Sequence, residues 1–192
     1  MNKKAKKGSQ WQRTHETIIQ KAIELAKEPG WEKVRVTKLV ELANINRNSF
    51  YLHFETINDV FDEIERNFVV KYHRLISTAS LQIMLEDENF FNSFCNLLES
   101  EKENVAVIKK IGRGDHLLLK LQKVWMDTFN TAFSESNDFS KEKNIVLTYI
   151  SGNVYTFFYN WINDPYGFNI QENSSFSGEV IDNLIKIASK EN

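Results

Sequence analysis

Residues 35–54 read Arg-Val-Thr-Lys-Leu-Val-Glu-Leu-Ala-Asn-Ile-Asn-Arg-Asn-Ser-Phe-Tyr-Leu-His-Phe, and they are the most informative stretch of the chain. It holds two short segments in which apolar residues recur at helical spacing, separated by Asn44-Ile45-Asn46. Asn44 tolerates a left-handed backbone, and Asn46 stands where its side chain can cap the segment that follows. The pattern predicts a helix-turn-helix whose second helix projects polar side chains outward.

The rest of the chain also predicts helices, because its 192 residues include only two Pro and seven Gly. Apolar residues spaced by three and four predict a first helix over about 14–27 and a long helix over 57–79. Later segments predict further helices, among them a short separate one around 105–111. We therefore predict an all-α fold of about nine helices.

These helices are expected to form two domains, a three-helix domain at residues 1–56 and a larger helical domain at residues 57–192. The two parts differ in charge, since residues 1–54 carry a formal charge of +6 and residues 55–192 one of −8. A basic N-terminal region on an acidic body suits a polyanionic partner at one end of the molecule. Ordinary solvated charge on small helices explains the same numbers equally well.

Several classes of protein are excluded by what the sequence lacks. The single Cys95 has no partner for an internal disulfide, so we expect a reducing, cytoplasmic compartment. The basic start is not followed by the apolar segment of a secretory signal, and no run approaches the roughly 18 to 20 apolar residues that span a bilayer. Neither a metal-ligand motif nor a catalytic or cofactor motif occurs, which argues against an enzyme, a cofactor and a metal site.

Residues 140–163 are apolar around most of the circumference of a helix. Such a helix must be covered on more than one side, by its own core on one face and by a second subunit on the other. Together with a last amphipathic helix it predicts the four-helix interface of a homodimer. The residues predicted to form that interface are Ile150, Val154, Phe157, Trp161, Ile181, Leu184 and Ile185.

The segment Ala43–Phe54 resembles the TetR family of bacterial transcriptional regulators. The resemblance extends over about residues 14–62, with support from Ile18-Ile19 upstream and Asp59-Val60-Phe61 downstream. Residues 149–161 are similar to the penultimate, dimerising helix of that family. The resemblance implies that the second helix of the helix-turn-helix enters the major groove, and that a two-fold dimer binds a palindromic operator in double-stranded DNA.

The resemblance also implies which residues touch DNA. Arg47 and Asn48 become candidate base readers, because Arg can bridge guanine O6 and N7 and Asn can bridge adenine N6 and N7. Contacts to phosphates or base edges are expected from the basic arm at residues 3–7 and from the two helices. The remaining predicted DNA-binding residues are Lys4, Lys6, Thr37, Lys38, Asn46, Ser49, Tyr51 and His53.

Three positions depart from the family pattern. Arg35 stands where the family usually has Thr or Ser before its second helix, so that helix is expected either to start later, at Thr37, or to be capped less well. Asn44 replaces a common Gly, which is a mild change because Asn tolerates the same conformation. Ile57 replaces a common Lys and removes a phosphate contact, so DNA affinity should depend more on the N-terminal arm and Arg47.

A regulator of this kind implies an effector site in the second domain, and we predict a repressor released from its operator by an apolar small molecule. For each aromatic residue taken singly, core packing is the alternative to lining a cavity. The predicted pocket residues are Phe90, Phe94, Leu98, Trp125, Phe129, Tyr149, Tyr155 and Phe158. A second hypothesis is control by a protein partner that docks on loop 163–176, with a filled, cavity-free core.

Overall fold

The computed structural model describes residues 3–30, 35–77, 79–80, 83, 86–134 and 141–189. Helices account for most of them, and no strand occurs in these ranges. The eight helices are α1 Lys3–Lys27, α2 Val36–Leu42, α3 Arg47–Tyr51, α4 Ile57–Ser77, α5 Glu88–Lys110, α6 Gly114–Ser134, α7 Lys141–Asn163 and α8 Ile170–Ser189. The predicted all-α class is confirmed.

The number of helices differs from the prediction at α5. The sequence suggested a separate short helix at 105–111, whereas α5 runs unbroken through this region. Residues 99–104 are polar but contain no Gly or Pro, so nothing in the backbone ends the helix there. Leu98 and Val105, two turns apart, are both fully buried and lie on one continuous apolar face.

The helix α4 carries the core from the helix-turn-helix into the rest of the molecule. Its buried side chains recur every three or four residues, at Phe61, Ile64, Phe68, Tyr72 and Ile76. They belong to one hydrophobic cluster that extends from α1 to α8. The helix α4 packs against α1 at one end and against α5 and α6 beyond it. It therefore connects the helix-turn-helix to the larger body.

A buried carboxylate fixes α4 against the start of α6. Glu65 is only 1% exposed, and its Oε1 lies 2.9 Å from both His116 Nδ1 and Lys120 Nζ. Arg113 pairs with Asp62 one turn earlier and approaches Glu65 to 3.9 Å. Since a buried carboxylate is costly without positive partners, these contacts set the position of α4 along α6.

A second set of polar contacts connects the end of α1 to α5. Lys110 Nζ donates hydrogen bonds to the carbonyl oxygens of Lys27 and Glu28, at 2.6 and 3.2 Å. Its charge faces the negative end of the α1 dipole, where a cation is favourable. Lys27 itself pairs with Glu103 at 2.9 Å. The helix-turn-helix is therefore attached to the larger body through α1 as well as through α4.

None of the described helices contains an apolar run long enough to cross a bilayer. Within the same residues, no three His, Cys, Asp or Glu side chains are grouped so that they could hold a metal ion.

Candidate nucleic-acid interface and ligand cavity

The turn between α2 and α3 has the geometry that its sequence predicts. Asn44 has a φ of 50°, in the left-handed region, and Asn46 Oδ1 accepts a hydrogen bond of 2.7 Å from the Ser49 backbone N–H. At the other end of the motif, α2 begins at Val36, so the alternative of a start at Thr37 is wrong. Arg35 occupies the N-cap in an extended conformation without a side-chain hydrogen bond, because Arg has no acceptor atom.

The outer face of α2 and α3 presents polar side chains to solvent. Thr37, Lys38, Arg47 and Asn48 are exposed, and Phe50 on the opposite side of α3 is fully buried. Arg47 Nη2 donates a 2.8 Å hydrogen bond to Thr37 Oγ1, which links the two helices across this face. The guanidinium is thereby held at the surface, where a DNA base edge or phosphate could reach it.

The other predicted contact residues are placed less uniformly. Asn46 and Tyr51 are exposed on the same side, with Tyr51 at 54%, whereas Ser49 is half-buried beside its own capped backbone. Lys4 and Lys6 lie in the first turns of α1, so the basic arm is helical, and their side chains lie outside the described residues.

His53 does not lie on the exposed face. Its ring packs 4.6 Å from Trp11 and 5.4 Å from His15, and His15 stacks on Phe54 at 4.7 Å. These four side chains form what we call the ring cluster, which joins α1 to the end of α3. His53 was predicted to contact DNA, but it packs against Trp11 and His15, whose spacing of four on α1 places them on one helical face.

Burial lowers the pKa of both histidines of the ring cluster and so favours their neutral form. Burial lowers the pKa of His15, Glu16 opposes this effect and Arg66 adds to it. Burial also lowers the pKa of His53, and the nearby His15 contributes in the same direction. Nδ1 of both rings is buried without a hydrogen-bond partner among the described residues, while His15 Nε2 lies 3.8 Å from Glu63.

We expect the folded state to lose stability as the pH falls below about 6.5, the ordinary His pKa. In that range the unfolded chain binds more protons than the folded ring cluster does, so the free energy of unfolding decreases as the pH falls. Denaturant unfolding at pH 7.5 and 5.5 measures the loss, and His53→Gln should reduce it. His73→Gln, on the exposed side of α4, is the control and should leave the loss unchanged. Equal losses in the wild-type protein and His53→Gln would contradict the assignment.

A cavity of about 320 Å³ lies between α5, α6, α7 and α8. Its volume is at the lower end of the roughly 300–1,000 Å³ that ligand sites occupy. The apolar wall consists of Phe90, Phe91, Phe94, Trp125, Phe129, Val154, Phe157, Phe158 and Ile181. The polar part of the lining consists of Glu86, Asp87, Glu88, Asn153, Ser174, Ser175, Ser177, Gly178 and Glu179.

The structure brings five of the eight predicted pocket residues to this cavity, namely Phe90, Phe94, Trp125, Phe129 and Phe158. It places the other three elsewhere. Leu98 is fully buried one turn further along α5, in the core below the cavity. Tyr149 and Tyr155 lie on the outer face of α7 and are exposed, Tyr149 at 65%.

Most residues that were predicted to form the dimer interface lie inside the protomer instead. Val154, Phe157 and Ile181 line the cavity, and Ile150 and Trp161 are fully buried within the protomer. Leu184 and Ile185 are half-buried against the same core. The face assignment of α7 was about half a turn off, because apolar side chains surround this helix and only the tertiary structure tells which face is inside. The face left exposed carries Ile145, Tyr149, Tyr155 and Tyr159.

The cavity wall is in direct contact with α4. The ring of Tyr72, which is fully buried, lies 6.4 Å from Phe94 and 5.6 Å from Phe158. Burial raises the pKa of Tyr72 well above its ordinary value, and the neighbouring Trp125 side chain opposes the rise. Three wall residues therefore touch one side chain of the helix that leads to the helix-turn-helix.

Part of the chain is similar in sequence to a known protein family, and its fold is similar to several solved structures. Residues 18–64 match the sequence pattern of the family described as bacterial regulatory proteins, tetR family. No protein of curated function matches the chain.

Three solved structures have a similar arrangement of helices. A TetR transcriptional regulator from Streptococcus agalactiae is 17% identical, with a TM-score of 0.58 over 91% of this chain and 97% of that one. The fatty acid degradation regulator FadR from Bacillus halodurans is 18% identical, with a TM-score of 0.54 over 88% and 94%. NalD from Pseudomonas aeruginosa, the secondary repressor of the MexAB-OprM multidrug efflux pump, is 13% identical, with a TM-score of 0.58 over 90% and 95%.

Proposed function

We propose that the chain is a DNA-binding transcriptional regulator of the TetR family, and that a small molecule bound in its aromatic cavity controls its binding to DNA. The observation that carries the proposal is the cavity itself, whose wall touches Tyr72 of α4. In this proposal the bound small molecule releases the protein from its operator. In support, one of the similar structures, NalD, is named a repressor.

In this proposal DNA is bound by residues 1–56 and the small molecule by residues 57–192. Arg47 and Asn48 read bases from the exposed face of α3, and Thr37, Lys38 and Tyr51 contact the backbone. Lys4 and Lys6 add phosphate contacts at the start of α1. The half-buried His53 acts by packing α3 against α1 rather than by touching DNA. The cytoplasm is the compartment that suits this function, since the DNA is there.

We propose that the protein is a homodimer joined through the outer faces of α7 and α8. The exposed aromatic side chains Tyr149, Tyr155 and Tyr159 on α7 and Phe176 on α8 support this surface, because apolar patches of this kind mark interaction sites. The seven residues predicted from sequence are instead mostly internal, and only Leu184 and Ile185 remain near the surface.

Replacing Tyr149 with Lys should weaken dimerisation by about a hundredfold or more, because each dimer would bury two unpaired ammonium groups. Sedimentation equilibrium measures the change in the dissociation constant of the dimer. Tyr166→Lys is the control, since Tyr166 is equally exposed but lies in the turn after α7. A Tyr149→Lys protein that dimerises like the wild type would exclude this face.

The proposed mechanism follows the contacts from cavity to DNA. A ligand that fits between Phe94, Trp125 and Phe158 displaces these rings, and Tyr72 and α4 move with them. Since Glu65 holds the middle of α4 against α6, displacement of Tyr72 tilts α4 and shifts the helix-turn-helix at its start. Two recognition helices must lie about 34–36 Å apart to enter successive major grooves, so a small change of spacing weakens binding strongly.

The test of this function is the affinity for operator fragments, selected from genomic DNA, with and without a compound that binds the purified protein. We expect the bound compound to raise the dissociation constant for DNA at least tenfold, and an unchanged constant would contradict the proposal. The protein-partner hypothesis required a filled core, and the 320 Å³ cavity does not support it.

A further inference from the structure

We propose that the ligand of the cavity is an amphipathic cation, with an apolar body among the aromatic rings and an ammonium-type group at the mouth. This inference rests on the proposed function, since it names the ligand class of the same cavity. It follows from the charges at the mouth, from the aromatic wall and from two polar atoms inside.

All charged residues that line the cavity are acidic. Glu86, Asp87, Glu88 and Glu179 contribute four carboxyl groups, and the described lining contains no Lys, Arg or His. The sequence from residue 75 to residue 90 also contains no basic residue. An anionic ligand would meet repulsion here, whereas a cation gains from every carboxylate within a few ångströms.

Helix capping explains only part of this acidity. Asp87 is the N-cap of α5, and Glu88 stands in its first turn, where acidic residues are favourable in any helix. Glu179 has no such reason, because it lies in the middle of α8, far from either helix end. Glu179 therefore lines the cavity without capping the helix.

One basic residue lies near the mouth without lining it. Lys186 pairs with Asp182 on α8; this pairing raises the pKa of Lys186, and the charge of Glu86 adds to the rise. Its charge is therefore already shared between these two carboxylates. Glu88 and Glu179 remain as the lining carboxylates that a ligand cation can approach.

The interior suits a cation with an apolar body. The rings of Phe94, Trp125 and Phe157 meet the cavity, and aromatic faces attract cations as well as apolar groups. Two buried lining atoms, Asn153 Oδ1 and Ser174 Oγ, have no hydrogen-bond partner in the described part of the chain. A buried acceptor without a donor is costly, and an N–H of the ligand would satisfy it.

Ser174 is the better buried of the two polar groups, at 8% exposed. Its hydroxyl lies near the Cys95 thiol. Burial raises the pKa of this thiol, and the Ser174 side chain opposes part of the rise. A thiol is a weak hydrogen-bonding group, so the hydroxyl stays available to a ligand. The cavity thus has acidic groups and hydrogen-bond acceptors around an apolar interior. These features match the charge, the N–H donors and the apolar body of an amphipathic amine.

Three probes with one body and different head groups test the inference on the purified full-length protein. They are 4-phenylbutylamine, 4-phenylbutanol and 4-phenylbutyrate, titrated calorimetrically at pH 7.5, where the amine is cationic and the acid anionic. We expect the amine to bind at least tenfold more tightly than the alcohol, and the acid to bind most weakly. Equal affinity for amine and alcohol, or no binding of the amine, would overturn the inference.

A pair of variants locates the effect. Glu179→Gln should weaken binding of the amine by about fivefold and leave the alcohol unchanged, because only the charge at the mouth is removed. Glu172→Gln removes the same charge from the same helix outside the lining and should change neither. Equal weakening of amine and alcohol by Glu179→Gln would show that the residue acts on packing and would overturn the inference.

The two proposals fail in different ways. If the alcohol binds as tightly as the amine and still weakens operator binding, the cavity controls DNA binding but charge does not select the ligand. If the amine binds with the expected preference and operator affinity stays constant, the ligand class is right and the control of DNA binding is wrong.

Discussion

Replacing Arg47 with alanine should weaken operator binding by at least about thirtyfold. Arg47 is exposed at the first position of α3, the position from which a recognition helix reaches base edges. A bidentate contact to guanine contributes about 1–3 kcal/mol, and the proposed dimer would make it twice, so the expected loss is about 2–6 kcal/mol. Since about 1.4 kcal/mol corresponds to a factor of ten, the upper end of that range exceeds a thousandfold.

Two controls separate base reading from other roles of Arg47. Thr37→Val removes the 2.8 Å hydrogen bond between α2 and α3 and one proposed backbone contact but keeps the guanidinium, so it should cost less affinity than Arg47→Ala. Lys123→Ala removes one positive charge from the exposed side of α6 and should cost nothing. Fluorescence anisotropy with labelled operator measures all three. Undiminished binding by Arg47→Ala would refute the assignment of this residue.

Replacing Gly178 with leucine should abolish the response to ligand while leaving operator binding intact. Gly178 lines the cavity from α8, and a methyl group at this position would meet no other atom within 4 Å. A leucine side chain can therefore enter the cavity and occupy the space that a ligand needs. Leucine also favours a helix over glycine by roughly 0.5–1 kcal/mol, so the variant should be at least as stable as the wild type.

The matched control for this variant is Gly178→Ala. It gains the same helical preference but leaves most of the cavity empty, so it should still bind ligand and respond to it. Calorimetry with the amine and anisotropy with operator DNA compare the two variants. A Gly178→Leu protein that is released from DNA by ligand as readily as Gly178→Ala would show that control does not pass through this cavity.

The parts of the structure that were predicted correctly depend on local interactions. Asn44 and Asn46 mark the turn because their side chains suit a left-handed residue and an N-cap, and both roles are observed. Thr56 and Asp59, three residues apart at the start of α4, form reciprocal capping bonds of the same local kind. Such signals need no knowledge of the rest of the fold.

The parts that were not predicted depend on tertiary contacts. The apolar residues of α7 surround the helix, so the sequence does not tell whether Tyr149 or Val154 faces inward. His53 looks like a polar residue on a recognition helix until Trp11 and His15 are seen to pack against it. The merging of two predicted helices into α5 likewise follows from a buried face that only the folded core defines.

In the proposed function, ligand and DNA bind to two coupled sites of one protein. Reciprocity follows from thermodynamics, so a ligand that weakens DNA binding must itself bind more weakly to the DNA complex, by the same factor. Calorimetric titration of one cavity ligand into the free protein and into the protein saturated with operator measures this coupling. We predict at least tenfold weaker ligand binding in the presence of operator, and equal affinity in the two titrations would contradict the account.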